Sequence, residues 1–400
     1  MKTTKKLVFL LMVTVLTTSA LFAQKADQMI GVTALQFARG GAIVASPVDA
    51  PSMIYNPAAI AAMDIDKIGF DMGLGVVNPP RKITSPAGTT ESGANSYMSM
   101  GNGVVVKVNE KLVLGMAAGG VSGLGVDFPS TTLPDNPGTP FPENVSVVAK
   151  KALLKITPTA AYKVSDKLMV GVSLQIGNQS LSLKSPAFML PQSERWGFGG
   201  AAGLIYKASS KLQIGLAYTS EMGVAEYEFN GTSLLPPAGG EGVYAMEMNS
   251  PQHVAFGIAL APSEKLLVEA DVKWVNFSAV MDVVELTSPT GYVIPLTFGW
   301  DDQMVYSLGL QLQPRKGVKL LGGYSYGATP ISEDDVDNNL GSIAVVENHL
   351  SFGLNKCWNK NLSSTFSYVR GLHNSVQSSL TPNMIEAEFN MLFLQLSYRM

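Results

Sequence analysis

The side chains with the chemistry for catalysis are few and scattered. Three histidines, His253, His349 and His373, stand in separate segments, with no Ser/His/Asp arrangement or HExxH helix around them. Hydrolysis at a lipid surface needs a serine and a histidine side by side, and no spacing here supplies the pair. The single cysteine, Cys357, can close no intramolecular disulfide. Glu333, Asp334, Asp335 and Asp337 form an acidic run with oxygens suited to divalent cations, or equally to a solvated loop tip. No glycine-rich nucleotide loop or cofactor box occurs. The expectation is a protein that is not an enzyme, with no cofactor and no metal site.

The elements that position these residues follow from composition and periodicity. Charged residues make up 15% of the 400 positions, against about 25% in soluble chains, and glycine occupies 39. Beyond the first 23 residues no run approaches the roughly 18 apolar residues of a membrane-spanning helix. A 46% apolar content with a net charge of −3 argues against disorder. Apolar residues spread over alternating positions instead fit a transmembrane β-barrel.

Residues 1–23 have a basic start (Lys2, Lys5, Lys6), an apolar stretch from Leu7 to Leu16 and small residues before Ala23, the form of a bacterial secretory signal cut after Ala23 or Ala20. A mildly acidic exported chain gives no sign of nucleic-acid binding. A short polar turn then recurs: Asn109-Glu110-Lys111-Leu112, Ser165-Asp166-Lys167-Leu168, Ser209-Ser210-Lys211-Leu212, Ser263-Glu264-Lys265-Leu266 and Asn359-Lys360-Asn361-Leu362, with a divergent copy at Pro314-Arg315-Lys316-Gly317-Val318. Its period of 44 to 56 residues fits two strands plus one longer loop.

Alternation follows each turn. Leu266, Val268, Ala270, Val272 and Trp274 share one face, with Glu269, Asp271 and Lys273 on the other. Tyr162, Tyr218, Trp274, Tyr324, Tyr326 and Tyr368 fall near strand ends, where an interfacial girdle belongs. Six tight turns alternate with seven longer loops near 79–95, 123–144, 185–195, 229–247, 283–299, 329–345 and 375–384. The expected fold is all-β, a fourteen-stranded antiparallel barrel over 66–400, closed by a last strand from about Glu386 to Met400.

Residues 24–65 lack strand alternation, and three prolines within eleven residues, Pro47, Pro51 and Pro57, forbid a central strand. They are expected to form a compact plug in the lumen. Here the sequence resembles the FadL-like family of outer-membrane transporters for long-chain fatty acids and other hydrophobic compounds. Asn56-Pro57-Ala58 after Arg39-Gly40-Gly41-Ala42 is similar to that family's hatch segment. Thr157-Pro158-Thr159-Ala160-Ala161-Tyr162, Trp196-Gly197-Phe198-Gly199, Pro251-Gln252-His253-Val254, Glu269-Ala270-Asp271-Val272-Lys273-Trp274 and Gly322-Gly323-Tyr324-Ser325-Tyr326 are further similar blocks, in the family's order.

The resemblance implies a hatch carried by Arg39, Gly40, Asn56, Pro57 and Ala58, ligand capture at extracellular loops, passage to an apolar lumenal pocket and lateral exit at a kinked third strand. Gly119 and Gly120 in the strand after Leu112 are the candidates for the kink, or else make room for the hatch. Phe128, Leu133, Phe141, Leu234, Leu235 and Tyr244 are candidate capture residues, or residues that pack the loops together or against lipopolysaccharide. A ligand carboxylate needs a cation, and Lys273, Lys319 and Arg399 are inward-facing candidates, or else partners of lumenal acids such as Glu269 and Asp271. The resemblance places the chain in the outer membrane of a Gram-negative bacterium. It is expected to be a monomer in contact with lipid and lipopolysaccharide, and inserted by the barrel assembly machinery. A diffusion porin and a structural or adhesin barrel are the competing readings.

Overall fold

A computed structural model of the chain describes residues 26–86, 88–131, 145–185, 187–234 and 239–400. The signal-like residues 1–23 lie outside that range. Fourteen strands form the wall: β1 (Ile68–Asn78), β4 (Tyr97–Lys107), β5 (Leu112–Thr131), β6 (Val145–Lys163), β7 (Leu168–Lys184), β8 (Phe188–Lys207), β9 (Leu212–Thr219), β13 (His253–Ser263), β14 (Leu266–Val275), β17 (Gln303–Arg315), β18 (Val318–Gly327), β19 (Asn348–Cys357), β20 (Leu362–Gln377) and β21 (Met384–Arg399). Each is antiparallel to the next, and β21 pairs with β1 from Gly69↔Arg399 to Asn78↔Asn390, so the cylinder has no free edge.

The recurring turn has a physical cause. Its first residue accepts hydrogen bonds from the backbone N–H groups two and three positions on: Asn109 Oδ1 from Lys111 and Leu112, Ser165 Oγ from Lys167 and Leu168, Ser209 Oγ from Lys211 and Leu212, and Asn359 Oδ1 from Asn361 and Leu362. The divergent copy reverses the chain through Gly317 at φ +79° instead.

Alternation sorts the wall as the sequence suggests. Met72, Leu74 and Val76 on β1 and Met304, Tyr306, Leu308, Leu310 and Leu312 on β17 are exposed on the lipid side, while Asp71, Glu269, Asp271 and Gln395 are buried on the inner side. A spanning strand needs about 9–11 residues. With 20, 19, 17 and 20 residues, β5 to β8 rise well beyond that.

Four loop expectations are corrected. The 123–144 segment is strand to Thr131, because β5 goes on pairing with β6 to Thr131↔Val145. Phe188 to Arg195 belongs to β8, paired with β7 up to Lys184↔Met189 across a register shift between Leu181 and Leu183. The 229–247 and 283–299 segments contain two hairpins, β11 (Tyr227–Ser233) with β12 (Gly240–Met246) and β15 (Val283–Thr287) with β16 (Val293–Thr297), joined through Met246↔Leu286. β2 (Arg81–Ser85), β3 (Gly88–Glu91) and β10 (Gly223–Val224) are likewise loop strands.

Candidate functional site

Residues 26–63 are buried almost throughout, and their partners are inward-facing groups of the wall. Helix α1 (Ala34–Ala38) starts at Thr33, which accepts from Gln36 N–H. A 3-10 turn (Ala50–Ile54) starts at Asp49, which exchanges hydrogen bonds with Ser52, and Pro51 sits where a proline's missing N–H costs nothing. Helix α2 (Ala59–Ala62) follows Asn56-Pro57-Ala58.

Buried carboxylates fasten this segment. Glu269 takes the guanidinium of Arg39 and the N–H groups of Ala45 (2.7 Å) and Ser46 (3.1 Å), while Asp271 accepts from the N–H of Ile43 (2.7 Å) and Val44 (3.0 Å). Asp71 accepts from Ala50 N–H and receives two bonds from Arg399 at 3.0 and 2.8 Å. Asn56 donates to the carbonyls of Val44 (2.7 Å) and Leu204 (3.3 Å). Glycines on the inner wall allow the backbone this close. A Cβ on Gly203 would stand 2.0 Å from Asn56 Oδ1, on Gly171 2.4 Å from Pro57, on Gly215 2.3 Å from Val44 O, and on Gly323 2.2 Å from the N of Gly40.

One seam departs from the regular wall. β4 and β5 pair only up to Gly101↔Gly119, whereas β4 follows β1 on to Val77↔Tyr97. Above Gly119 the β5–β6 register shifts between Gly120 and Ser122, the mark of a bulge at Val121. The N-terminal segment takes up the freed groups of β5: Met29 N–H donates to Val121 O (2.9 Å), Gly123 N–H donates to Asp27 O (3.1 Å), and Gln28 bridges Ser122. Asp27 is anchored by its side chain as well, accepting from Ser122 Oγ and Gln28 Nε2 and ion-paired with Lys151 Nζ, each at 2.8 Å.

On the other side of β5 lies a cavity of about 370 Å³. Leu124, Leu181, Phe188 and Leu190 form its wall, Phe229, Met246 and Met281 close it from the loops, and Lys151 is its buried cation. Above it the loops have a core of their own, with Trp300 edge-on to Phe277 (5.3 Å) and donating to Asn339 Oδ1 (2.7 Å).

Several expected roles are relocated. Phe128 and Tyr244 are fully buried rather than displayed, Phe128 on the stretch of β5 that goes on pairing with β6 and Tyr244 in the β11–β12 hairpin, while Leu234 is 62% exposed. Leu133, Phe141 and Leu235 lie outside the described residues. Arg399 is committed to Asp71, and Lys319, one residue into β18 and opposite Asn355, stands at the turn end, away from the cavity. Lys273 borders a second small pocket of about 40 Å³ with Gln28, Tyr55, His253 and Asp271. Neither Glu269 nor Asp271 pairs with a wall lysine; both serve the N-terminal segment. Gly119 does make room for that segment, since a Cβ there would lie 3.0 Å from Val32. The sequence reading passed over Asp27, Lys151 and Lys155, whose surroundings arise only through pairing.

The family model described as outer membrane protein transport protein (OMPP1/FadL/TodX) matches residues 10–341. The chain belongs to this family. Its barrel is therefore an outer-membrane one, and the family is one of transport proteins. Among solved structures the chain resembles the P. putida toluene transporter TodX, with 20% identity and a TM-score of 0.76 over 92% of this chain and 99% of that one. The Ralstonia pickettii toluene transporter TbuX gives 19% and 0.74 over 92% and 98%. A Pseudomonas aeruginosa FadL homologue gives 14% and 0.74 over 93% and 99%. At these identities the likeness concerns the fold. No curated protein matches the chain.

Proposed function

We propose that this family member carries hydrophobic compounds, long-chain fatty acids foremost, from outside the cell into the outer membrane. Capture takes place at the extracellular cap, the cavity beneath it receives the ligand, and exit is sideways through the seam between β4 and β5. Residues 24–65 act as the hatch that closes the lumen to water. The protein works as a monomer, its outward apolar band given over to lipid.

The observation that carries this reading is the broken pairing above Gly101↔Gly119, where β5 trades its neighbouring strand for a short N-terminal segment. A general diffusion pore has no use for such a seam. An apolar solute does, because it gains by leaving directly into lipid without crossing water. The cavity chemistry agrees: apolar side chains with few polar groups are what a hydrophobic ligand needs. Its size favours a chain over a single ring, since a cavity of about 150 Å³ already accommodates benzene. The aromatic-hydrocarbon reading has its own support in TodX and TbuX, both described as toluene transporters.

The test is Gly120→Val. Valine at Gly119 would also push on Val32, so the change is made at Gly120, where the β5–β6 register shifts. A β-branched residue stiffens the strand and disfavours the bend. Uptake of radiolabelled oleate by cells expressing the variant should fall about tenfold, the equivalent of roughly 1.4 kcal/mol. Assembly is checked by the heat-dependent shift on gels. Normal assembly with unchanged uptake would refute the lateral route.

A further inference from the structure

The recurring turn carries a residue that its hydrogen bonds do not explain: a lysine stands within every copy, at Lys111, Lys167, Lys211, Lys265, Lys316 and Lys360. Short turns lie on the periplasmic side of such barrels, so these lysines form a rim there. Glu110, Asp166 and Glu264 offset the charge in three of the turns. The stretch formed by the β17–β18 and β19–β20 turns differs. Residues 313–319 and 355–364 contain no acid, and a bond from Cys357 N–H to Gly317 O (2.8 Å) joins the two turns. Arg315, Lys316, Lys356 and Lys360 are all exposed in this stretch. Among the described residues none of these four forms an ion pair.

The depth of these cations points to lipid. Lys356 continues the outward series Leu350, Phe352 and Leu354 on β19, about 7 Å beyond the last of them. Its ammonium lies 4.1 Å over the ring of Trp358, which is 59% exposed and donates from Nε1 to Ser364 Oγ at 2.9 Å. An exposed indole fixed at the edge of an apolar band belongs at a membrane interface, and lysine stems reach from that level to the headgroups. Such short turns project too little to meet a partner deeper in the periplasm. A zwitterionic surface leaves these cations without counter-charge, whereas an anionic one supplies it. We propose that this stretch of the rim is a binding site for an anionic phospholipid of the inner leaflet. Arg315, Lys316, Lys356 and Lys360 surround its phosphate, and Trp358 lies against the glycerol and the upper acyl chains. The site is on the outside of the wall, away from the cavity and the N-terminal segment, and is independent of the transport reading.

The experiment is native mass spectrometry of the folded full-length protein in a nonionic detergent, with dioleoyl phosphatidylglycerol and dioleoyl phosphatidylethanolamine as competing probes. The two share their tails and differ in headgroup charge. The unsubstituted protein should retain the anionic lipid over the zwitterionic one by roughly a hundredfold, and each cation removed should cut that ratio about fivefold. Lys316→Gln with Lys356→Gln should therefore lower it about twenty-five-fold. Lys111→Gln with Lys167→Gln removes the same charge elsewhere on the rim and should leave it within about twofold. Fluorescence gives a second readout. Phosphatidylglycerol brominated on its acyl chains should quench Trp358, taken as the difference between the unsubstituted protein and Trp358→Phe, more than the brominated ethanolamine lipid does. Equal retention of the two lipids, or equal losses in the two double variants, would overturn the site. Full competition by millimolar glycerol phosphate would assign it to free phosphate and overturn the lipid as its occupant.

Discussion

Replacing Glu269 by glutamine keeps its shape and removes its charge. Glu269 is fully buried and holds Arg39, which is 1% exposed, together with the N–H groups of Ala45 and Ser46. Glutamine can still accept one of those amide bonds, but the guanidinium is left as an uncompensated charge away from water. Breaking a buried pair from one side costs about 3–5 kcal/mol. At about 1.4 kcal/mol per decade, the ratio of released to docked segment should rise roughly a hundredfold to a few thousandfold around residues 39–46. Asp49 and Asp71 hold the flanking residues 33–36 and 50–52 independently, through Thr33, Gln36, Ser52 and Ala50, so the loosening should stay local. Hydrogen exchange reads this directly: the Ala45 and Ser46 amides should lose protection by that factor while Ser52 keeps its own. Planar-bilayer recordings should show openings that the unsubstituted protein lacks. The double change Arg39→Met with Glu269→Leu removes both charges and should restore most of the protection. Protection within about threefold of the original in Glu269→Gln would refute the idea that this pair clamps the segment.

Other expectations follow from neighbouring contacts. In Gly203→Ala the new Cβ would meet Asn56 Oδ1 at 2.0 Å, so residues 56–58 should lose exchange protection while the barrel's unfolding temperature on gels stays unchanged. Trp300→Ala removes a buried indole and its bond to Asn339, a loss of about 3–5 kcal/mol, and should speed protease cleavage within 276–302 and 328–347 with the barrel intact. Burial alone would raise the Asp27 carboxyl, but Lys151 beside it and the hydrogen bonds from Gln28 and Ser122 bring it below its ordinary value of 3.8. A depressed carboxylate stabilises the docked form above 3.8 and loses that contribution as pH falls through the lower value. Protection of the Met29 and Gly123 amides, corrected for intrinsic rates, should therefore hold at neutral pH and fall only below 3.8; a loss at higher pH counts against the ion pair as the anchor.

The sequence by itself determined whatever depends on near neighbours along the chain. Period-two alternation decides which face of a strand meets lipid, and the asparagine or serine that opens four of the tight turns bonds the amides two and three positions on, so strand number and turn positions were legible. Asn56-Pro57-Ala58 and Arg39-Gly40 could be picked out as a distinct non-strand segment for the same reason. Only the tertiary structure decided what long-range pairing brings together. A lysine on an inward strand face reads alike at 151, 273 and 319, yet Lys151 meets Asp27 while Lys319 stays at the turn end. The extracellular segments read as loops displaying apolar capture residues until strand pairing turned Phe128 on β5 and Tyr244 on β12 into core. The inner-wall glycines show the division most plainly. Their number was visible in the composition, but their purpose depends on which backbone comes within van der Waals distance of each, and that distance is set by closure of the barrel around the N-terminal segment.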